Sequence, residues 1–230
     1  MEVTATRIAW QIGTRPMRFL FDFLSPYAYL AWSRIHGVAA CAGREVEPVP
    51  VLFAGLLGAH GTRGPAEVDA KRRYLVRDVL RIASAWDVPI AAPRAIPFRS
   101  LTALRLTSIE MDRATRRALI DRLFAGAWAR GEDLADSETL AAIAREVGLG
   151  DDALARAESS EVKASLRRVT DEAIAAGVFG VPTVLVDGEM FWGCDSFPHL
   201  ERFLAGELAV DRDVLAAFDA APVGARRSGA

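Results

Sequence analysis

Three short segments hold the residues whose types and spacing could do chemistry: Ser25-Pro26-Tyr27-Ala28, Val181-Pro182-Thr183 and Trp192-Gly193-Cys194-Asp195. Ser25 follows an apolar run, Phe19 to Leu24, and precedes a proline that opens a helix-like stretch. Its hydroxyl can cap that helix by accepting from an early amide. It can also donate to a bound anion, because a helix amino terminus favours negative charge by about 1–2 kcal/mol. A thiol, with an ordinary pKa of about 8.5, ionises more readily there. As a nucleophile Ser25 is poorly served, since no neighbouring histidine or lysine offers a base.

Pro182 precedes a strand-like run, residues 183–186. A cis bond at that point would turn the amide and carbonyl of Val181 outward, ready to pair with an extended peptide; a trans proline opening the strand is the other reading. Asp195 is expected to cap the last helix, and a carboxylate there could also hold a ligand ammonium. Cys194 reads as a small space-filler whose neighbouring amide could grip a carboxylate. The glycine-rich stretch 55–65 lacks the Gly-Lys-Ser/Thr ending of a phosphate loop and is expected to be a loop beside the site. Near it, Arg63 and Lys71 are candidate cations for a substrate carboxylate or ordinary solvated charges; an arginine of the Pro93-Arg94 loop is a third candidate. Asp78 reads as a helix-face charge.

The elements that must place these residues follow from periodicity. Residues 17–23 alternate and are aromatic-rich, a buried strand; residues 26 to about 42 carry Tyr27, Leu30, Ala31, Ile35 and Val38 at helical spacing, with proline at the first position. Residues 44–52 are a second strand candidate, and Pro48 and Pro50 place it at an edge or near its end. From about 66 to 157 the chain is charged, rich in alanine and leucine, and helix-periodic. Gly148 stops one of these helices, and prolines between 88 and 98 separate two others. A helix over 162–176 ends at Gly177. Strands at 183–186 and 189–192 flank Asp187-Gly188, a hairpin signal, and a final helix begins at Asp195.

Together these give α/β order: βαβ, a helical block, then αββα. A strand feeding a helix that carries the reactive group, opposed by an X-Pro step before a late strand, is the thioredoxin arrangement with a helical insertion, as in DsbA-like proteins. The expected division is a split thioredoxin-like unit over 17–53 and 160–210, a helical insertion over 54–159, and extensions at 1–16 and 211–230. Ser25 and Ala28 occupy both thiol positions of a Cys-x-x-Cys motif, so disulfide exchange is excluded there.

Composition narrows the partners. The chain has 230 residues, 51% hydrophobic and 25% charged, an ordinary globular balance. A net charge of −2 offers no electrostatic case for nucleic acid or an acidic membrane. Two cysteines and three histidines form no metal or redox spacing. Residues 1–16 lack the layout of a secretion signal, and no apolar stretch approaches the roughly 20 residues of a membrane helix. A cytoplasmic location is the expectation.

Phe21-Asp-Phe-Leu-Ser-Pro-Tyr-Ala-Tyr-Leu30, Gly177-Val-Phe-Gly-Val-Pro-Thr183 and Met190-Phe-Trp-Gly-Cys-Asp195 together resemble the 2-hydroxychromene-2-carboxylate isomerases, relatives of kappa-class glutathione transferases and DsbA-like oxidoreductases. Gly64-Pro65, Lys71 and Tyr74-Leu75 with Asp78 extend the resemblance through the helical block, over residues 18–209. It implies glutathione as cofactor, a small aromatic substrate and a homodimer. In that reading Ser25, with Pro26 and Tyr27, meets the glutathione thiolate. Val181, ahead of a cis Pro182, pairs with the cysteinyl backbone. Trp192, Gly193, Cys194 and Asp195 hold the γ-glutamyl end, and Thr62, Arg63 and Lys71 face the substrate. The family often has asparagine at the position of Cys194, and asparagine near Thr62 in the Gly61-Thr62-Arg63 loop. The implied reaction is reversible thiolate addition, bond rotation and release of glutathione. Conjugation of electrophiles, as by kappa-class transferases, and a non-catalytic glutathione- or peptide-binding module are the alternatives.

Overall fold

The computed structural model describes residues 16–222 and 224; the expectation for residues 1–15 and most of the tail lies outside them. The elements run β1 (Met17–Phe21), α1 (Pro26–Cys41), β2 (Val46–Pro50), α2 (Phe53–Ala59), α3 (Asp69–Ala85), α4 (Leu101–Ser108), α5 (Arg113–Phe124), α6 (Ser137–Glu146), α7 (Ala153–Ala157), α8 (Ser160–Ala175), β3 (Thr183–Val186), β4 (Glu189–Trp192), α9 (Phe197–Leu204) and α10 (Arg212–Asp219). The sheet order is β2-β1-β3-β4. β1 and β2 are parallel, joined through α1, whereas β1/β3 and β3/β4 are antiparallel. This is a thioredoxin-like core carrying an inserted all-helical subdomain. β2 lies at an edge, where Pro48 and Pro50 need donate to no further strand. No helix among the described residues is long and apolar enough to cross a membrane.

β1 stops at Phe21, earlier than the alternation suggests, because Asp22 turns the chain. Its carboxylate accepts from the Leu24 amide at 3.2 Å, and its carbonyl accepts from the Ser25 amide at 3.1 Å. The late hairpin turns at Asp187 and Gly188, both at positive φ (50° and 86°), as its Asp-Gly sequence requires. One expectation fails: the last helix starts at Phe197, after a single 3-10 turn over Cys194–Ser196, and Asp195 does not cap it. Had Asp195 been the cap, Pro198 would stand third in the helix and offer no amide, leaving only that of Phe197 for the carboxylate.

The helical subdomain and the sheet share one apolar core. Phe21, Phe23 and Trp32 from β1, its following turn and α1 pack with Phe124 from α5, and Phe19 packs behind them on Phe21 and Trp32, ring centroids lying 4.8–6.1 Å apart. Polar atoms pin the seam. Trp128 donates its indole N–H to the Phe23 carbonyl at 2.8 Å, Trp32 to Asp121 at 2.6 Å, and the Tyr29 hydroxyl to the Pro89 carbonyl at 2.7 Å. Each such bond inside an aromatic core satisfies a group that would be costly left bare. The turn that presents Ser25 is thereby held from the subdomain side as well as from the sheet.

Candidate functional site

Ser25 caps α1, and its Oγ accepts from the Ala28 amide at 3.2 Å. It is buried and donates to the Val181 carbonyl at 3.4 Å. Val181-Pro182 is cis. The first two sequence segments therefore meet, with a hydroxyl at a helix amino terminus against the residue before the cis proline. Because Ala28 occupies a lone pair of Oγ rather than its proton, the hydroxyl can rotate from the long Val181 contact to a nearby anion without losing its cap.

The third segment closes on the same place. The Gly193 amide donates to the Pro182 carbonyl at 2.9 Å. Trp192 is half-exposed and packs on Phe179, with centroids 5.0 Å apart. Its indole passes so near Gly180 that a Cβ there would lie 2.5 Å from Nε1, a separation side chains do not tolerate. Gly193 has φ +82°, and a Cβ on it would sit 2.3 Å from the Asp195 carboxylate. Asp195 is exposed, whereas Cys194 is buried, its thiol pushed up to about 12 by burial first and then by the charges of Asp195 and Asp78. Cys194 is thus an un-ionised filler, unsuited to nucleophilic work.

Tyr27 and Asp78 bring the helical subdomain to the site. The Tyr27 hydroxyl donates to Asp78 Oδ2 at 2.8 Å. Burial, then that bond and the carboxylate charge, raise its pKa, so it stays protonated. Asp78 is half-buried rather than a solvated charge on a helix face. Lys71 and Tyr27, with Pro65, Ala70, Tyr74 and Leu75, line a cavity of 390 Å³. Thr62 and Arg63 are exposed, Arg63 donating to the Glu67 carbonyl at 3.0 Å and the Thr62 amide to the Leu57 carbonyl of α2 at 3.0 Å. A wider cleft of 720 Å³ between β2 and α8 contains none of these residues.

Sequence reasoning passed over Asp22. Its carboxyl is fully buried and accepts from Leu24 and, at 3.0 Å, from the Phe53 amide opening α2. Burial raises its pKa to about 6 against the opposing hydrogen bonds. A lone acid within an aromatic run, three residues before Ser25, was the available signal.

The profile of DSBA-like thioredoxin domains matches residues 17–205. The chain belongs to that family, and within it is related to 2-hydroxychromene-2-carboxylate isomerases and kappa-class glutathione transferases. It is 31% identical over 194 residues to the 2-hydroxychromene-2-carboxylate isomerase of Sphingobium xenophagum, covering 83% of this chain and 98% of that one. It is 27% identical over 208 residues to glutathione S-transferase kappa 1 of Rattus norvegicus, covering 84% and 92%. A solved 2-hydroxychromene-2-carboxylate isomerase superposes with a TM-score of 0.77 at 25% identity, covering 90% of this chain and 100% of that one. The cytosolic disulfide reductase DsbM of Pseudomonas aeruginosa, solved with GSH, shares the fold at 18% identity and a TM-score of 0.59, covering 85% and 100%.

Proposed function

We propose that the cleft binds glutathione and uses it to isomerise 2-hydroxychromene-2-carboxylate or a related aromatic-degradation intermediate. The observation that carries this reading is the juxtaposition of the Ser25 hydroxyl, at the amino terminus of a 16-residue helix, with the cis Val181-Pro182 step. The residues present fit the tripeptide chemically. A hydroxyl and a helix terminus suit a thiolate, a backbone step suits its peptide, and an exposed Asp195 folded against Gly193 suits its ammonium. When bound, glutathione would supply the sulfur that adds to a conjugated carbon and leaves once the former double bond has rotated.

The chain's own part is to bind, orient and stabilise. Ser25 donates to the negative sulfur while the first helical turn lowers the cost of its charge. Tyr27, locked to Asp78, presents its ring to the cavity where Lys71 supplies a cation for a substrate carboxylate. Trp192 and Phe179, both exposed, pack together beside Gly180 as an apolar lip. Thr62 and Arg63, exposed in the segment that leads to Pro65 of the cavity wall, are the remaining substrate-facing candidates. The same reading assigns the protein to the cytoplasm, as a homodimer.

Kappa-type conjugation is the second reading, favoured by the similarity to the kappa-class enzymes. Purified protein given a chromene carboxylate with glutathione is expected to interconvert the isomers without consuming free thiol. Thiol loss in step with chloronitrobenzene conjugation, and no isomerisation, would support conjugation instead. Turnover of neither substrate would reject both.

A further inference from the structure

Asp22 is the one acidic or basic residue among those described with none of its surface exposed, and the proposed chemistry does not use it. Its two carboxylate oxygens serve different segments. Oδ1 accepts from the Leu24 amide at 3.2 Å, inside the turn that ends at Ser25, and the Asp22 carbonyl accepts from the Ser25 amide at 3.1 Å. Oδ2 accepts from the Phe53 amide at 3.0 Å. Phe53 opens α2, whose own cap residue, Leu52, makes no side-chain bond, so the carboxylate stands in for the missing cap.

Through α2 the same carboxylate reaches the other half of the site. Phe53 and Leu56 pack in one apolar cluster with Val178 and Val181. His60, which follows α2, meets the Val178 carbonyl through Nε2 at 3.0 Å. One oxygen of Asp22 thus grips the turn before Ser25, and the other grips the helix packed on the segment that carries Val181. Ser25 and Val181 are the two partners of the 3.4 Å contact on which the candidate site is built. A carboxylate suits this joint because it offers two acceptors and no donor. Asparagine has one acceptor, and a protonated acid turns one oxygen into a donor. The ionised form is costly to bury, so the fold is more stable with the proton on, while the joint is complete only with it off.

We propose that Asp22 is a positioning residue: its carboxylate, shared between Leu24 and Phe53, holds the Ser25 hydroxyl in register with the Val181 carbonyl. The groups acting most strongly on that carboxyl are the Ser100 hydroxyl and the amides of Phe53, Leu24 and Phe23, none of them charged. Of the elements around it, α2 carries no charged side chain. β1 brings Arg18, paired with Glu47; α1 brings His36 and Arg34, the latter paired with Glu201; α4 brings Arg105, paired with Glu158. Where the proposal concerns ligand affinity it rests on the glutathione reading; where it concerns the joint itself it does not.

Two measurements on the full chain test it. In hydrogen exchange without ligand, the Leu24, Ser25 and Phe53 amides of Asp22→Asn should lose about tenfold or more of their protection at pH 7, while Ile143 and Ala144 of α6 lose none. The wild type should lose the same local protection as pH falls from 7 to 5, although its global stability rises. Calorimetry with S-methylglutathione, which has no thiol to ionise, should show wild-type affinity increasing several-fold from pH 5 to pH 7, with a midpoint near 6. Asp22→Asn should bind weakly, with no such step. Ser100→Ala, which removes a bond favouring the ionised form, should move the midpoint upward. Effects of His60 and Asp195 are common to all three proteins and cancel. Protection lost evenly across the molecule, or kept at Ser25, would overturn the proposal, as would equal affinities on one shared pH profile. If the wild type binds no S-methylglutathione, the glutathione reading falls, and the exchange data alone decide the role of Asp22.

Discussion

Asp22 gives the sharpest quantitative expectation. Its side chain is wholly buried at the turn into Ser25, and burial outweighs the bonds from Ser100, Phe53 and Leu24 to set its pKa near 6, against 3.8 for the ordinary group. A folded pKa above the unfolded one means that the native state holds the proton more tightly. The penalty is therefore absent below about pH 4, grows as pH rises toward 6, and is constant above. Two pKa units at 1.36 kcal/mol each give about 3 kcal/mol of stability lost over that window. Asp22→Asn removes the titration. Its amide must face one of the surrounding donors, a cost of about 1–3 kcal/mol that does not vary with pH. Urea unfolding of both proteins from pH 4 to pH 8 should show wild-type stability falling by about 3 kcal/mol relative to the variant between pH 4 and pH 6.5, then running parallel. The exposed carboxylates whose pKa values are depressed, Asp112 and Asp136 among them, are present in both proteins and cancel. Parallel profiles across the whole range would refute the reasoning.

Other expectations concern the rim of the cleft. A thiol reagent at pH 8 should modify exposed Cys41 quickly and Cys194 only after unfolding, because burial keeps the latter un-ionised; two fast equivalents would contradict this. Gly180→Ala should drive the Trp192 indole off Phe179 and weaken glutathione binding several-fold by calorimetry, with a modest stability loss of about 1 kcal/mol, since the indole can swing outward. Unaltered affinity would show that the indole takes no part. Tyr27→Phe removes the bond to Asp78 at 2.8 Å and should cost about 1 kcal/mol in urea unfolding; a neutral result would mean that water replaces it freely.

The sheet and the first helix were legible because their signals are local: an aromatic strand, a proline at the first helical position, an Asp-Gly turn. The meeting of Ser25 with Val181 was legible too, since the order of elements brings a first strand beside a late one. What escaped was long-range. Asp78 looks solvated when only its own helix is considered, and only the packing of α3 beside α1 delivers it to Tyr27. Asp195 looked like a cap because the pattern ignores that Pro198 has no amide to offer. Asp22 was hidden by its neighbours, because an apolar run reads as strand whether or not one acid within it is buried. Thr62 and Arg63 sit in a loop whose sequence says nothing about which way it faces.

The central claim is that a borrowed thiolate is steadied by the Ser25 hydroxyl. Its most direct test is the ultraviolet titration of the glutathione thiol bound to the wild type and to Ser25→Ala. The account predicts a bound thiol at least about one pKa unit more acidic in the wild type than free in solution, and a return of about one unit toward the free value in the variant. Superimposable titrations, or no bound tripeptide at saturating concentration, would contradict it.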